Sequence, residues 1–491
     1  MMKKLLSPIL LVFTSLLLFS CSSDNDPSGT DDDTGSQPPP DPEIVIPSTN
    51  TVGVLKKESG VFDGYTLFTI HKDTYLIDLC GRVINHWKSE YDRGGGFYLL
   101  EDGSLLRAGK IDNPDLPYGG IGGIIEKFDW DGNLLWDYRL STPMLSQHHG
   151  LYQLPNGNIL TLVATRKTGE EAIQAGRDLN NLVDNELYNE QILEIQPTGN
   201  SGGNIVWEWN AWDHLVQDLD ETKDNFGSVF NNPQLIDINF TGTTNPTGVK
   251  DWLHFNSLQY NQDFNQIIIS SQKLSEIYII DHTTTTEEAA TGSGGTYGKG
   301  GDILYRWGNP VAYDHGRADD QILFGQHFPH WIPNGHPDEG KLLIFNNGLG
   351  RPTNFSTVEI ITPPTDASNN YVYDTGVAYG PTTPDWTYID PTDPTLFYSR
   401  IVSSAQRLEN GNTLFCEGTK GKFSEINSNG EIVWEYVNPE KSDGTITTQG
   451  QEPASNVFRA LRYGLDYPAF TGKQLTPGNP IELDFNIGNC R

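Results

Sequence analysis

Positive charge is scarce in this chain: 32 Lys+Arg stand against 64 Asp+Glu in 491 residues, a formal net charge of -32. The summed field repels polyanions, which excludes a nucleic-acid partner and means that an anionic substrate needs positive groups gathered locally. Apolar residues are also few, at 36%. Beyond the N-terminal run no window supplies the ~18 uninterrupted apolar positions that would span a bilayer. Local catalytic signatures are missing too. The folded region has no HExxH, CxxC or clustered Asp-x-Asp, and no GxSxG elbow, P-loop or GxGxxG in a strand-to-helix context, so the common hydrolase, kinase and dinucleotide readings have no support. Metal ligands spread over distant segments would leave no such local motif.

What is abundant is turn and aromatic chemistry: 51 Gly, 30 Pro, 11 Trp, 21 Tyr and 21 Phe. That mixture describes many short strands joined by tight turns and excludes a helical bundle. Two units alternate along the chain. One ends in Trp or Tyr: CGRVINHW (80–87), DGNLLWDY (131–138), GGNIVWEW (202–209), GGDILYRW (300–307) and NGEIVWEY (429–436). The other is a hairpin, usually with an Asn-Gly or Asp-Gly turn: GGFYLLEDGSLL, HGLYQLPNGNIL, HFNSLQYNQDFNQII, HFPHWIPNG with KLLIF, and SSAQRLENGNTL. One Trp strand, one hairpin and a following strand make a four-stranded antiparallel sheet, the blade of a β-propeller. Five units are explicit, and Trp386 with NVFRALRYGLDYPAF supplies a sixth. The expected fold is therefore all-β, a six-bladed propeller over residues 46–491, at about 40 to 50 residues per blade plus insertions. Insertions at 167–187, 212–251 and 282–299 are read as loops on one face, where function usually sits.

His149, His254 and His327 precede the hairpins of three successive units, and equivalent positions of successive blades converge on the central channel. His214, His282 and His336 share no such register and are read as structural. Three converging imidazoles permit a three-histidine metal site with an open position, or nucleophilic catalysis by one neutral imidazole with the others stabilising developing charge. The repeat alone leaves both open.

The first residues resemble a bacterial lipoprotein signal: Lys3 and Lys4, an apolar run from Leu5 to Phe19, and the lipobox LLFSC, with Cys21 as the lipid-bearing residue. Residues 1–21 are thus expected to be a signal peptide. The acidic, Pro- and Ser-rich stretch 22–45 is expected to be a disordered tether. The chain would then be an exported lipoprotein facing the periplasm or cell surface, with its lipid as the only membrane contact. Cys80, Cys416 and Cys490 remain. A Cys80–Cys490 bridge would clip the two ends of the folded region together, although three cysteines allow three pairings.

HHGLYQLPNGNIL, WEWNAWDHL, DWLHFNSL followed by IIISSQK, QHFPHWIPNG with LLIFNNG, SSAQRLENGNTL and VFRALRY together resemble the bacterial arylsulfate sulfotransferases, in order over most of the chain from Gly64 to Phe470. The resemblance implies a propeller that moves a sulfuryl group from a phenolic sulfate to a phenol through a sulfohistidine. Neither a nucleotide sulfate donor nor any cofactor would take part. It implies His327 as nucleophile, His254 and His149 as oxygen ligands or proton carriers, and Asn256 as a further donor. The family's active-site arginine falls on Gln272 here. A cation is then expected from Lys273 or Arg351. Two other readings stay open: a propeller that binds sulfated or aromatic ligands without turnover, and a hydrolase or lyase dependent on a metal held by the three histidines.

Overall fold

A computed structural model describes residues 44–242, 249–453 and 455–490. The expected signal peptide, Cys21 and the tether through residue 43 lie outside the described residues. Within them no helix is long and apolar enough to cross a membrane.

Six antiparallel sheets of four or five strands form a six-bladed β-propeller, with a minor two-stranded parallel pair between Leu215–Val216 and Ile236–Asp237. Each hairpin segment supplies the innermost strand of a blade. In blades 2 to 6 these are Arg93–Leu99, Leu145–Gln153, Phe255–Asn261, His327–Trp331 and Ser404–Arg407. The returns use the expected turn chemistry, with Gly157 and Gly411 at φ 87° and 89°, a conformation costly for any residue with a Cβ.

The Trp segments are the outermost strands, and their tryptophans join the blades. The indole N–H of Trp87 donates to Asp129 O (2.8 Å), Trp136 to Gly202 O (2.8 Å), Trp209 to Gly301 O (2.7 Å), Trp307 to Pro381 O (2.7 Å) and Trp434 to Leu79 O (2.9 Å). Each acceptor lies in the turn preceding the outermost strand of the next blade. The repeated Trp therefore does two things: it fills the space between sheets and satisfies one carbonyl there. In blade 5 the outermost strand is Trp386–Tyr388, and Trp386 instead faces the Arg407 guanidinium at 5.0 Å.

The ring closes with residues from both ends of the folded region. Ala460–Gly464 is the innermost strand of blade 1 and pairs with Gly64–Ile70, Phe68 opposite Ala460. Gly53–Lys57 adds a fifth strand to the outside of blade 6, Gly53 opposite Val437. Cys80 and Cys490 are joined in a disulfide, while Cys416 is free and buried.

The insertions hold short helices, Gly169–Gln174 and Thr286–Ala289, each opened by a capping box, Thr168 with Glu171 and Thr285 with Glu288. His214 is a core residue. It is fully buried, stacked on Trp209, and bonded to Asp302 and to Ala289 O, each at 2.8 Å.

Trp434→Phe keeps most of the buried ring but strands the Leu79 carbonyl. Chemical denaturation should show a loss of about 1–3 kcal/mol; an unchanged midpoint would show that this bond does not help hold the ring together.

Candidate active site

The inner strands of blades 2 to 6 carry, within or just before them, a backbone step of positive φ at Gly95 (124°), His149 (41°), His254 (46°), Phe328 (52°) and Ser403 (91°). At the four blades carrying side chains this costs about 1–3 kcal/mol each. The step also corrects the repeat register. His149 and His254 occupy equivalent positions, but in blade 5 that position is Phe328 and His327 comes one residue earlier, matching His148 rather than His149. The two imidazoles at the step are adjacent, ring centroids 4.8 Å apart and nearly perpendicular.

The Tyr118-Gly119-Gly120 segment packs against both rings. A Cβ on Gly120 would lie 2.1 Å from His149 Nε2, and one on Gly119 would lie 2.8 Å from His254 Cε1. Tyr118 stacks on His254 at 5.4 Å, and its hydroxyl donates to Glu190. Glu190 also accepts the Phe255 N–H (2.7 Å) and lies 2.9 Å from His148 Nε2, while His148 Nδ1 is 2.9 Å from His149 Nδ1. A polar chain thus runs from a buried carboxylate through His148 to His149. His254 has its own carboxylate: Nδ1 lies 2.5 Å from Asp251 Oδ2. Burial pushes the Asp251 carboxyl up, but His254 and then Lys273 outweigh it and hold the group below its ordinary value.

His327 is 3% exposed and fixed at both ring nitrogens. Nδ1 donates to Asn347 Oδ1 (2.8 Å), and Asn347 is itself held through its amide nitrogen by the carbonyls of Ser399 (2.7 Å) and Val402 (2.9 Å). Because Asn347 Oδ1 can only accept, Nδ1 carries the proton and Nε2 carries the lone pair. That lone pair accepts the Val402 N–H at 3.1 Å. Val402 is β-branched and has φ 55°, a clear outlier for such a residue. Burial, together with His254 and Arg459, lowers the His327 pKa to about 3, and burial with the neighbouring histidines takes His149 well below its ordinary value.

The other expected residues are placed as follows. Asn256 is fully buried and spends an amide N–H on Gln326 O (2.7 Å), so it positions the residue before His327. Gln326 is anchored in turn to Ser270, Ser271 O and Glu276 O of blade 4. Gln272 has a buried Oε1 without a hydrogen-bond partner, and its Nε2 lies near Gly325. Lys273 acts on Asp251, behind His254. Arg351 is committed elsewhere: its guanidinium lies over Phe324 and Phe355 and donates to Phe355 O and Thr357 Oγ1, each at 3.1 Å.

The cation that does bear on His149 and His327 is Arg459, from the VFRALRY segment. It is 1% exposed, sits over Phe328 at 4.2 Å and Phe458 at 4.7 Å, donates to Tyr98 Oη, and has no carboxylate partner among the described residues. Arg93 is a second arginine without a carboxylate ion pair among the described residues. Its guanidinium has no hydrogen-bond or ion-pair partner among the described residues, and it and Arg459 both act on the buried Cys416 thiol. Burial lowers Arg93 to about 10, leaving it charged at neutral pH. Arg459, Asp251 and Asn347 all lie inside segments whose pattern is visible in the sequence, VFRALRY, DWLHF and FNNG. Arg93, Tyr118, Glu190 and Val402 have no sequence signal of their own.

A metal centre built on the three histidines is not favoured by this arrangement. Both nitrogens of His327 and Nδ1 of His254 are already engaged. Among the described residues, the His/Cys/Asp/Glu group whose ligand atoms approach within 4.8 Å of one another is a different one, His71, Asp73 and Glu440.

The six-bladed propeller thus holds a buried neutral histidine and, acting on it, an arginine without a carboxylate partner among the described residues, an arrangement that suits an anion. The family model for arylsulfotransferase (ASST) matches residues 53–459, and the chain belongs to that family. Aryl sulfotransfer is the general activity that membership assigns. No curated protein matches the sequence significantly. Among solved structures, the chain is similar to a protein of unknown function from Bacteroides caccae (12% identity, 82% of this chain and 98% of that one, TM-score 0.42). It is also similar to the periplasmic gluconolactonase of Pseudomonas aeruginosa (10%, 82% and 99%, 0.38) and to virginiamycin B lyase from Staphylococcus aureus (12%, 82% and 89%, 0.36). At these scores the likenesses carry no weight for function.

Two outcomes follow from this packing. Gly120→Ala should displace His149 and cut turnover tenfold or more with the circular dichroism unchanged; full activity would mean that the His149 position is not critical. The folded state holds His327 at about 3 and His330 at about 4, whereas the unfolded chain protonates them near ~6.5. Folded values below unfolded ones give stability that is complete above ~6.5 and lost as pH falls toward the folded values. Two buried carboxyls pushed up by burial, Glu440 to about 7 and Asp237 to about 6, act in the opposite sense over the same range, so the imidazole contribution is read by difference. Between pH 7 and pH 4 the denaturation midpoint of His330→Gln should fall less, or rise more, than that of the wild type, and identical pH profiles would contradict neutral burial.

Proposed function

We propose that this protein transfers a sulfuryl group from a phenolic sulfate ester to a phenol acceptor through a sulfohistidine at His327, with no nucleotide donor. The observation that carries the reading is the fixed tautomer of His327: Nε2 holds the ring's lone pair, bonded at rest only to the Val402 N–H, with His254 and the carboxylate-free Arg459 bearing on the ring. Nucleophile activation here needs no general base, because burial keeps the imidazole neutral.

In the first half-reaction Nε2 attacks sulfur, the S–O(aryl) bond breaks, and the phenolate leaves with both bonding electrons. Attack requires Nε2 to give up the Val402 N–H. That amide is then free to donate to a sulfuryl oxygen. Charge in the transition state spreads over three oxygens; Arg459 and Arg93 supply positive charge for it and the neutral His149 a hydrogen-bond donor. His254, oriented by Asp251, gives its proton to the departing phenolate and later takes one from the acceptor phenol. In the second half-reaction the acceptor oxygen attacks sulfur and the S–N bond breaks, which regenerates neutral His327. Ping-pong kinetics follow. Arg459 takes the place of the cation lost at Gln272.

With 4-nitrophenyl sulfate as donor and a phenol as acceptor, protein quenched in mid-reaction should carry one SO3 mass on the peptide containing His327. His327→Ala should lose about 10³-fold or more in kcat, and Arg459→Gln about 10²-fold in kcat/KM, while Arg351→Ala changes either by less than about threefold. Label on another residue, or a silent Arg459 substitution beside a damaging Arg351 one, would overturn the assignment. Tight binding of aryl sulfates with no turnover would instead identify a binding propeller.

A further inference from the structure

The structure assigns a second site: we infer that His71, Asp73 and Glu440 bind a divalent transition-metal ion that clips blade 1 to the end of blade 6. His71 sits in the turn between Gly64–Ile70 and Asp73–Ile77 with φ 48°, and Glu440 follows the Ile432–Val437 strand of the neighbouring blade.

Three observations converge on a ligand. First, two buried atoms here have no hydrogen-bond partner, His71 Nδ1 and Glu440 Oε2, although Glu440 is 1% exposed and Asp73 5% exposed. A carboxylate so deeply buried is disfavoured unless a cation meets it or it takes up a proton, and burial pushes the Glu440 carboxyl up. Second, the separations suit a shared ion. His71 Nδ1 lies 3.9 Å from Asp73 Oδ2 and 3.9 Å from Glu440 Oε1. That is too long for a hydrogen bond and shorter than the roughly 4.2 Å that separates two ligand atoms on opposite sides of an ion with bonds of about 2.1 Å.

Third, each candidate ligand is oriented from behind. His71 Nε2 faces Asp92 Oδ1 at 3.4 Å, which favours the proton on Nε2 and leaves the Nδ1 lone pair directed at the two carboxylates. Asp73 Oδ1 is bonded to His86 Nε2 at 2.6 Å, with Lys88 Nζ at 3.6 Å, so Oδ2 is the free oxygen. Tyr75 is stacked on His86 behind Asp73. The backbone of Glu440 is pinned at both ends, its N–H donating to Asn438 Oδ1 and its carbonyl accepting from Asn438 Nδ2. One imidazole and two carboxylates are the donor set of Zn²⁺ or Mn²⁺.

The competing account is a metal-free imidazolium, with His71 protonated on both nitrogens among three carboxylates. To separate the two, the full chain is stripped with EDTA and titrated with Mn²⁺, followed by the electron paramagnetic resonance of the free aquo ion, and Zn²⁺ is then added in competition. One ion per chain is expected, displaced by Zn²⁺. Affinity should fall at least tenfold in both Glu440→Gln and His71→Ala, each checked for native circular dichroism, and stay unchanged in His327→Ala. The last variant keeps this result separate from the transferase reading. Absence of saturable binding of either ion, or binding equal in all variants, overturns the site. So does a ¹⁵N spectrum showing His71 doubly protonated in the presence of saturating Zn²⁺, which needs no variant to fold.

Discussion

The centre of the molecule depends on the strained backbone step that heads the inner strands. A regular strand would send alternate side chains between the sheets; a residue at positive φ breaks that alternation and adds a bulge, and in blades 3 and 4 the residue at the break is a histidine. The step survives because its surroundings fix it. Gly120 O accepts the His149 N–H, Gln272 N–H binds the His254 carbonyl, and Phe458 O accepts the Ser403 N–H. Loosening any of these would let the strand relax into ordinary pleat and withdraw the imidazole from its neighbours.

Electrostatics around this centre run against the rest of the chain. A net charge of -32 favours an excess of cations in solution near the surface, yet the residues gathered within include the imidazoles of His149 and His327, held neutral by burial, and an arginine without a carboxylate partner among the described residues. Asp251 and Glu190 are the exceptions, and each is spent on a histidine: Asp251 on His254, Glu190 on His148. Negative charge is thus used to orient rings, and positive charge is left uncompensated for a guest.

The propeller and its blade count were legible because the Trp and Asn-Gly signals each repeat with one structural meaning. The convergence of His149 and His254 followed from the same repeat. The register of His327 did not, because a bulge shifts side chains by one position without altering the spacing of the motif, and Phe328 is as acceptable as histidine at the step. For a related reason Arg459 was not singled out. Proximity in sequence to Gln272 suggested Lys273, and a flexible loop suggested Arg351, whereas Arg459 reaches His149 and His327 across the ring from more than a hundred residues away in either case. Hydrogen-bond partners such as Glu190 and Val402 could not be seen at all, since nothing in their local sequence records which blade faces them.

The last-formed strand of blade 1 gives the ring a temporal order. Arg459 immediately precedes Ala460–Gly464, which pairs with Gly64–Ile70 only when both have been made. During synthesis His149, His254 and His327 emerge before this guanidinium exists beside them. A growing chain therefore has neither a closed ring nor Arg459 beside these histidines until this last strand is made. Completing the circle and bringing Arg459 beside the histidines are a single event.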